Sequence, residues 1–278
     1  MNVVLIRGGG DLATGAAIRL DRAGMRVLIT EIAQPLAVRR TVSFAEAIYE
    51  GGIIVEGVLA RRAADPHEAA AILLAGHIPV IVDPTASLPY AAAAIDIVAL
   101  VDARMTKKPQ PALAATSPFT VGLGPGFMPG ESCHAVVETL RGHTLGRVYR
   151  IQPPHPNTSA PDGDPSRLLL APADGVIVAH AKIGDQVQAG QLIAHIHKVG
   201  GVNDSVPLSR QVLAPLAGVL RGLIRPGLEV RVGMKIGDVD PRNDPAHCHL
   251  ASDKALAVGG GVLEALLTRP DVRALLWN

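Results

Sequence analysis

The sequence predicts an α/β protein: a Rossmann-like doubly wound parallel sheet, followed by a small all-β unit resembling a barrel-sandwich hybrid. Three observations carry this expectation. Strand and helix signals alternate through the first 140 residues. Apolar residues make up 48% of the 278, yet aromatics only 3%, so the core is built from Ala, Val, Leu and Ile, as parallel strands covered on both faces require. The last third repeats itself, residues 171–194 matching 214–237 at 8 of 24 positions with a constant offset of 43.

The elements follow from local punctuation. Val3-Val4-Leu5-Ile6 is a strand ending at Gly8, and a helix from about Ala13 stops at Gly24, where glycine admits the left-handed conformation. Val27 to Thr30 forms the second strand. Ser43 with Glu46 reads as a capping box whose helix Gly51 closes. Asp65-Pro66 with Glu68 starts another helix, ending at Gly76. Continuous apolar runs at Ile53–Val55, Ile78–Val82 and Ile95–Val101 predict buried strands, and Phe119–Val121 a further one, with a helix from Glu131 to Leu140 after it. The run from Gln152 to Ser166 has five prolines and almost no apolar residue, so it reads as a loop or linker. The expected organisation is a nucleotide-binding domain over 1–150, a Pro-rich loop over 151–167, a β unit over 168–242 and a C-terminal helical segment over 243–278.

Composition narrows the function classes. With 26 Lys plus Arg against 25 Asp plus Glu, no net field draws the chain to nucleic acid or an anionic membrane. The strand-like start leaves no room for a secretory signal, and no apolar run reaches the roughly 18 residues of a membrane span. Two distant cysteines, Cys133 and Cys248, are no disulfide framework. A cytoplasmic protein is expected, with room left for a homo-oligomer.

The segment Gly8-Gly9-Gly10-Asp11-Leu12-Ala13 fits G-x-G-x-x-A between a strand and a helix. Such a turn brings backbone N–H groups and a positive helix end to a phosphate. Glu31, closing the second strand, is placed to accept the hydroxyls of an adenine ribose. Asp83 and Thr85, Asp102 and Arg104, and the loop Gly122, Gly124, Gly126 end later strands, so all face one crevice if the sheet is doubly wound. For Asp102 with Arg104 an internal salt bridge is an equal reading. For the glycine loop the alternatives are an anion cradle and a strained turn.

Other residues carry less. Cys133-His134 lacks a nucleophile–base–orienter set. His247-Cys248-His249 is too short for a closed metal site, even with His195 and His197 sharing one strand face, and no metal site is assigned. Asp238, Asp240 and Arg242 read equally as a site for a metal-linked or phosphorylated ligand and as a salt-bridged strand end. The repeat invites a biotin or lipoyl carrier reading. That fails because Met234-Lys235 lies inside the second copy rather than on a hairpin between the copies.

Five blocks together, IRGGGDLATG at 6–15, VDARMTK at 101–107, VGLGPGF with ETLRGHTLGRV, KIGDVDPR, and SDKALAVGGGVLEA at 252–265, resemble the selenium-dependent molybdenum hydroxylase system protein family (YqeB type), related to xanthine dehydrogenase accessory proteins. The resemblance implies a maturation factor for molybdenum-containing hydroxylases. It would bind a nucleotide-bearing ligand such as a molybdenum cofactor dinucleotide, with a client hydroxylase as partner and no chemical step required. The alternatives are an NAD-dependent oxidoreductase, for which Asp83 and His134 are the acid–base candidates, and a non-catalytic scaffold.

Overall fold

The computed structural model describes residues 1–110, 119–156, 165–198 and 209–277. The chain divides into two compact units: Met1–Pro35 with Ser43–Ala160 and Ala251–Asn278, and Leu36–Val42 with Pro161–Leu250.

Unit 1 is built on one sheet of nine strands: β1 (Asn2–Arg7), β2 (Val27–Glu31), β3 (Gly52–Val55), β4 (Val58–Ala63), β5 (Ile78–Val82), β6 (Asp96–Asp102), β7 (Thr120–Leu123), β8 (Ala135–Val137) and β9 (Val148–Tyr149). Their order is β3-β4-β5-β2-β1-β6-β7-β8-β9. The seven inner strands pair parallel, while β3 and β9 pair antiparallel with β4 and β8.

This corrects the doubly wound parallel, Rossmann-like sheet expected from the sequence. The sheet is mixed: an antiparallel strand closes each edge, and the β3–β4 hairpin lies beyond β5. The physical cause at one edge is local. Glu56 (φ 47) and Gly57 (φ 83) both take positive φ, the requirement of a two-residue hairpin turn, so the run after Gly51 folds into two antiparallel strands instead of one. At the other edge the helix expected over Glu131 to Leu140 is replaced by β8, whose Ala135, Val136 and Val137 are all fully buried.

The helices of unit 1 are α1 (Asp11–Arg22), α2 (Ala47–Glu50), α3 (Pro66–Leu74), α4 (Asp253–Leu267) and α5 (Pro270–Arg273). Ser43 makes no side-chain cap; a 3-10 turn over Phe44–Glu46 leads into the short α2, which Gly51 ends at φ 77. At α3 the N-cap is made: Asp65 accepts from the Glu68 N–H at 2.9 Å, and Glu68 reaches back one residue further to accept the Ala64 N–H at 2.8 Å. Its Ile72 and Leu73 pack with Val3, Leu5, Leu28, Ile81 and Leu100 from the sheet.

Helix α4 lies against α1 through small residues. A Cβ on Gly15 would fall 2.5 Å from the Ala255 carbonyl oxygen, and one on Gly259 would fall 2.6 Å from that of Gly15, so the backbones touch where any side chain would separate them.

Unit 2 contains β10 (Leu168–Leu170), β11 (Gly175–Ala179), β12 (Gln186–Val187), β13 (Leu192–His197), β14 (Ser209–Leu213), β15 (Gly218–Leu223), β16 (Glu229–Val230) and β17 (Lys235–Asp240). They form two antiparallel four-stranded sheets, β10-β17-β15-β12 and β14-β13-β11-β16. The 43-residue offset maps β11, β12 and β13 onto β15, β16 and β17. The short middle strand of each copy joins the other copy's sheet: β12 pairs with β15, and β16 with β11. Two separate sheets correct the expected barrel-sandwich-hybrid-like unit, because β10 and β14, from outside the repeat, each take an outer position. The Pro-rich segment falls partly at 157–164, outside the described residues.

Candidate functional site

The parallel strands of unit 1 direct their carboxyl ends to one edge, and the Gly8–Gly10 turn leaves β1 there. Each glycine has its own constraint. Gly8 (φ +90) needs a left-handed backbone, and a Cβ on it would lie 3.4 Å from the Ala103–Arg104 backbone. Gly9 runs close to another part of the protein: its Cβ would be 2.8 Å from the Ala45 nitrogen, and Ala45 donates its N–H to the Gly9 carbonyl at 2.8 Å. Gly10 differs from both. It sits at φ −65, ψ −179, caps α1 without a side chain, and has nothing within 4 Å of the Cβ position.

Glu31 joins this turn from β2. Its Oε2 accepts the Gly9 N–H at 2.7 Å and its Oε1 the Ile32 N–H at 2.8 Å. Each carboxylate oxygen keeps acceptor capacity for a further donor. Thr14 braces the same turn, its hydroxyl donating to the Gly10 carbonyl at 3.0 Å and accepting the Phe44 N–H at 2.8 Å. Asp11 is the first residue of α1, where a carboxylate suits the positive helix end. Ala13 is fully buried.

Asp102 ends β6 and is fully buried. Arg104 binds both its oxygens, Nε lying 2.9 Å from Oδ1 and 3.0 Å from Oδ2, and Nη2 donates to Gln110 Oε1 at 3.1 Å. Arg7, the last residue of β1, stands on the other side with Nη1 3.5 Å from Asp102 Oδ2. Burial, and then the like charge of Arg104, lower the Arg7 pKa from its ordinary value. Sequence reasoning missed Arg7, although it directly precedes the glycine turn.

Asp83 serves its own loop. Its carboxylate accepts from the Leu88 N–H at 3.0 Å, the Tyr90 hydroxyl at 2.8 Å and the Thr85 hydroxyl at 3.3 Å. Burial alone would raise its pKa, but these donors outweigh it and leave the group below the usual carboxylate range. The glycines in and after β7 also face protein: added Cβ atoms on Gly122, Gly124 and Gly126 would meet the Phe127 ring, the Thr139 hydroxyl and the Lys108 carbonyl.

One further carboxylate at this edge was not read from the sequence. Glu138, just past β8, is fully buried. It accepts from the N–H groups of Thr139 (2.7 Å), Leu140 (2.8 Å) and His155 (2.8 Å) and stands 2.7 Å from His155 Nδ1. No periodicity marks it, because its partner is 17 residues away on an irregular segment.

The thiol and imidazole candidates fall elsewhere. Desolvation pushes Cys133 up to about 11, so it is a protonated core side chain. His134 pairs through Nδ1 with the Thr120 hydroxyl at 2.8 Å, at the start of β7 and so at the opposite edge from the glycine turn. In unit 2, His180 Nε2 lies 2.7 Å from His195 Nδ1. Among the described residues no group of three or more His, Cys, Asp and Glu is arranged to hold a metal ion. Asp238 and Asp240 are held by cations: Arg221 reaches both, Lys235 Nζ is 3.2 Å from Asp238, and Arg242 forks onto Asp240 with Nε 2.9 Å from Oδ1. That is a salt-bridged strand end. No helix among the described residues is long and apolar enough to cross a membrane.

No family model matches the chain. The uncharacterized protein YqeB of Escherichia coli K12 is 42% identical over 269 residues, 95% of this chain. The chain is therefore a YqeB homologue, and it spans 47% of that protein's length. Among solved structures, an aspartoacylase family protein from Mesorhizobium loti is 11% identical, covers 86% of this chain and 84% of its own, and has a TM-score of 0.29. A succinylglutamate desuccinylase from Silicibacter is 13% identical over 85% and 84% of the two chains, at 0.26. The ectoine utilization protein EutE of Ruegeria pomeroyi is 12% identical over 86% and 87%, at 0.28. Likenesses at such scores carry no argument about this chain.

These findings correct the functional expectation. The chain is shown to be a homologue of an uncharacterized protein and nothing finer, so the maturation role and its molybdenum-cofactor ligand are withdrawn. The dehydrogenase alternative is withdrawn as well, because Asp83 is committed to its loop and His134 lies at the wrong edge.

Proposed function

We propose that unit 1 binds a ligand bearing a ribose and a phosphate, a nucleotide, at the carboxyl ends of β1, β2 and β6. The observation that carries this reading is the bond from Gly9 N–H to Glu31, beside a Gly10 with no neighbour over its Cβ position. The turn offers the N-terminus of the twelve-residue α1 to a phosphate, and Glu31 stands one hydrogen bond away to accept a ribose diol.

Gly10→Val tests the reading. Its backbone suits any residue and the protein leaves room for the side chain, so the variant folds while filling the space a phosphate would use. Calorimetric titration with ADP should show binding to the wild type and at least tenfold weaker binding to Gly10→Val, about 1.4 kcal/mol. Equal affinities would reject the site.

A further inference from the structure

Arg7 is poorly paired for a side chain only 15% exposed. Of its five N–H donors, one of the two on Nη2 reaches the Pro84 carbonyl at 3.0 Å, and Nε is buried with no partner among the described residues. Its remaining tie is the ion pair to Asp102. That carboxylate is already forked by Arg104. Two guanidinium groups therefore share one buried carboxylate, and Asp83, the next nearest, is taken up by its own loop. One positive charge is left over at the β1/β6 crevice, and leaving a buried donor unpaired is costly.

We propose that Arg7 and Arg104 together recognise a second oxyanion group, phosphate or carboxylate, on the ligand of unit 1. This rests on the nucleotide reading for the rest of the ligand and narrows it to nucleotides carrying a further acidic group on the β6 side. An oxyanion there balances the excess charge and supplies acceptors in the planar geometry that a guanidinium fork matches and an ammonium does not. The position is adjacent to the phosphate turn, because Gly8 packs directly on the Ala103–Arg104 backbone.

The test titrates inorganic pyrophosphate and malonate, neither of which carries a ribose, into wild type, Arg104→Gln, Arg104→Lys and Gly10→Val at low ionic strength. Circular dichroism confirms that each variant is folded. The proposal expects at least one probe to bind wild type, with a tenfold or greater loss in Arg104→Gln and only partial recovery in Arg104→Lys. The tighter probe identifies the acidic group. Absence of binding to wild type, or full retention in Arg104→Gln, overturns it. Should Gly10→Val keep ADP affinity while Arg104→Gln loses pyrophosphate, the nucleotide reading fails and the oxyanion site stands.

Discussion

Glu31 and Gly9 form one structural unit: the carboxylate ending β2 accepts the N–H of the turn that leaves β1, at 2.7 Å. A ribose-reading group held this way is positioned before any ligand arrives, which lowers the ordering cost of binding.

Replacing Glu31 with Ala removes two charge-assisted hydrogen bonds and exposes the Gly9 and Ile32 N–H groups. Stability is expected to drop by about 1–3 kcal/mol, and ADP affinity by tenfold or more. Urea denaturation and calorimetry measure the two effects separately. Unchanged ADP affinity would show that Glu31 only braces the turn.

The glycines separate by what surrounds them. Gly15→Val drives a side chain into the Ala255 backbone and is expected to destabilise by about 1–3 kcal/mol or more. Gly10→Val should lower the melting temperature by only a few degrees, because it clashes with nothing and costs only the weaker N-cap of α1, about 0.5–1 kcal/mol. A large loss at Gly10 would mean that the space over the turn is not free.

Stability should fall in acid through Glu138. Burial raises its pKa, but the N–H groups of His155, Leu140 and Thr139 outweigh that and hold it below its ordinary 4.5. A carboxylate depressed in the folded state stabilises the protein above its unfolded pKa and loses that contribution as pH falls toward the folded value. Melting temperature should decline from about pH 5 to pH 2. Glu138→Gln should start lower at neutral pH and decline less. A parallel decline in both would assign the acid sensitivity to other carboxylates.

Cys133 should resist alkylation. With its thiol pushed up to about 11 almost no thiolate exists at pH 8, and the side chain is 6% exposed. Iodoacetamide labelling followed by mass spectrometry should find it unmodified in the native protein and modified in urea. Rapid native labelling would reopen a chemical role.

In unit 2, Asp238→Ala strips Arg221 of its closest partner inside the sheet. Removing one member of a buried pair is expected to cost about 3–5 kcal/mol, read as a lower urea midpoint at unchanged slope. A neutral outcome would mean that Asp240 alone satisfies Arg221.

Much of unit 1 was legible because its signals are local. The β1-turn-α1-β2 run, the Asp65 cap and the apolar strands at Ile78 and Asp96 each declare themselves within a few residues. The β3–β4 hairpin was hidden because its turn is Glu-Gly, a pair without the usual Asn or Asp, and Glu56 adopts positive φ through its context. β8 was read as a helix because Ala135–Val137 is too short for a period to show. Of the site, the turn and Glu31 could be read from spacing. Arg7 and Glu138 could not, since what marks them is a deficit or surplus of partners that only the folded chain displays. The repeat was plain, but the exchange of β12 and β16 between its copies was not, because identity between segments says nothing about which edge each strand joins.

The contact of Gly15 with Gly259 also bears on how the chain is made. During vectorial synthesis α1 emerges early, while the helix that covers its glycine face lies more than two hundred residues downstream, beyond all of unit 2. At about 5–20 residues per second, that face waits tens of seconds on the ribosome for its partner. Unit 2, whose strands are nearly contiguous, can close first, so the part of the chain begun earlier is finished last.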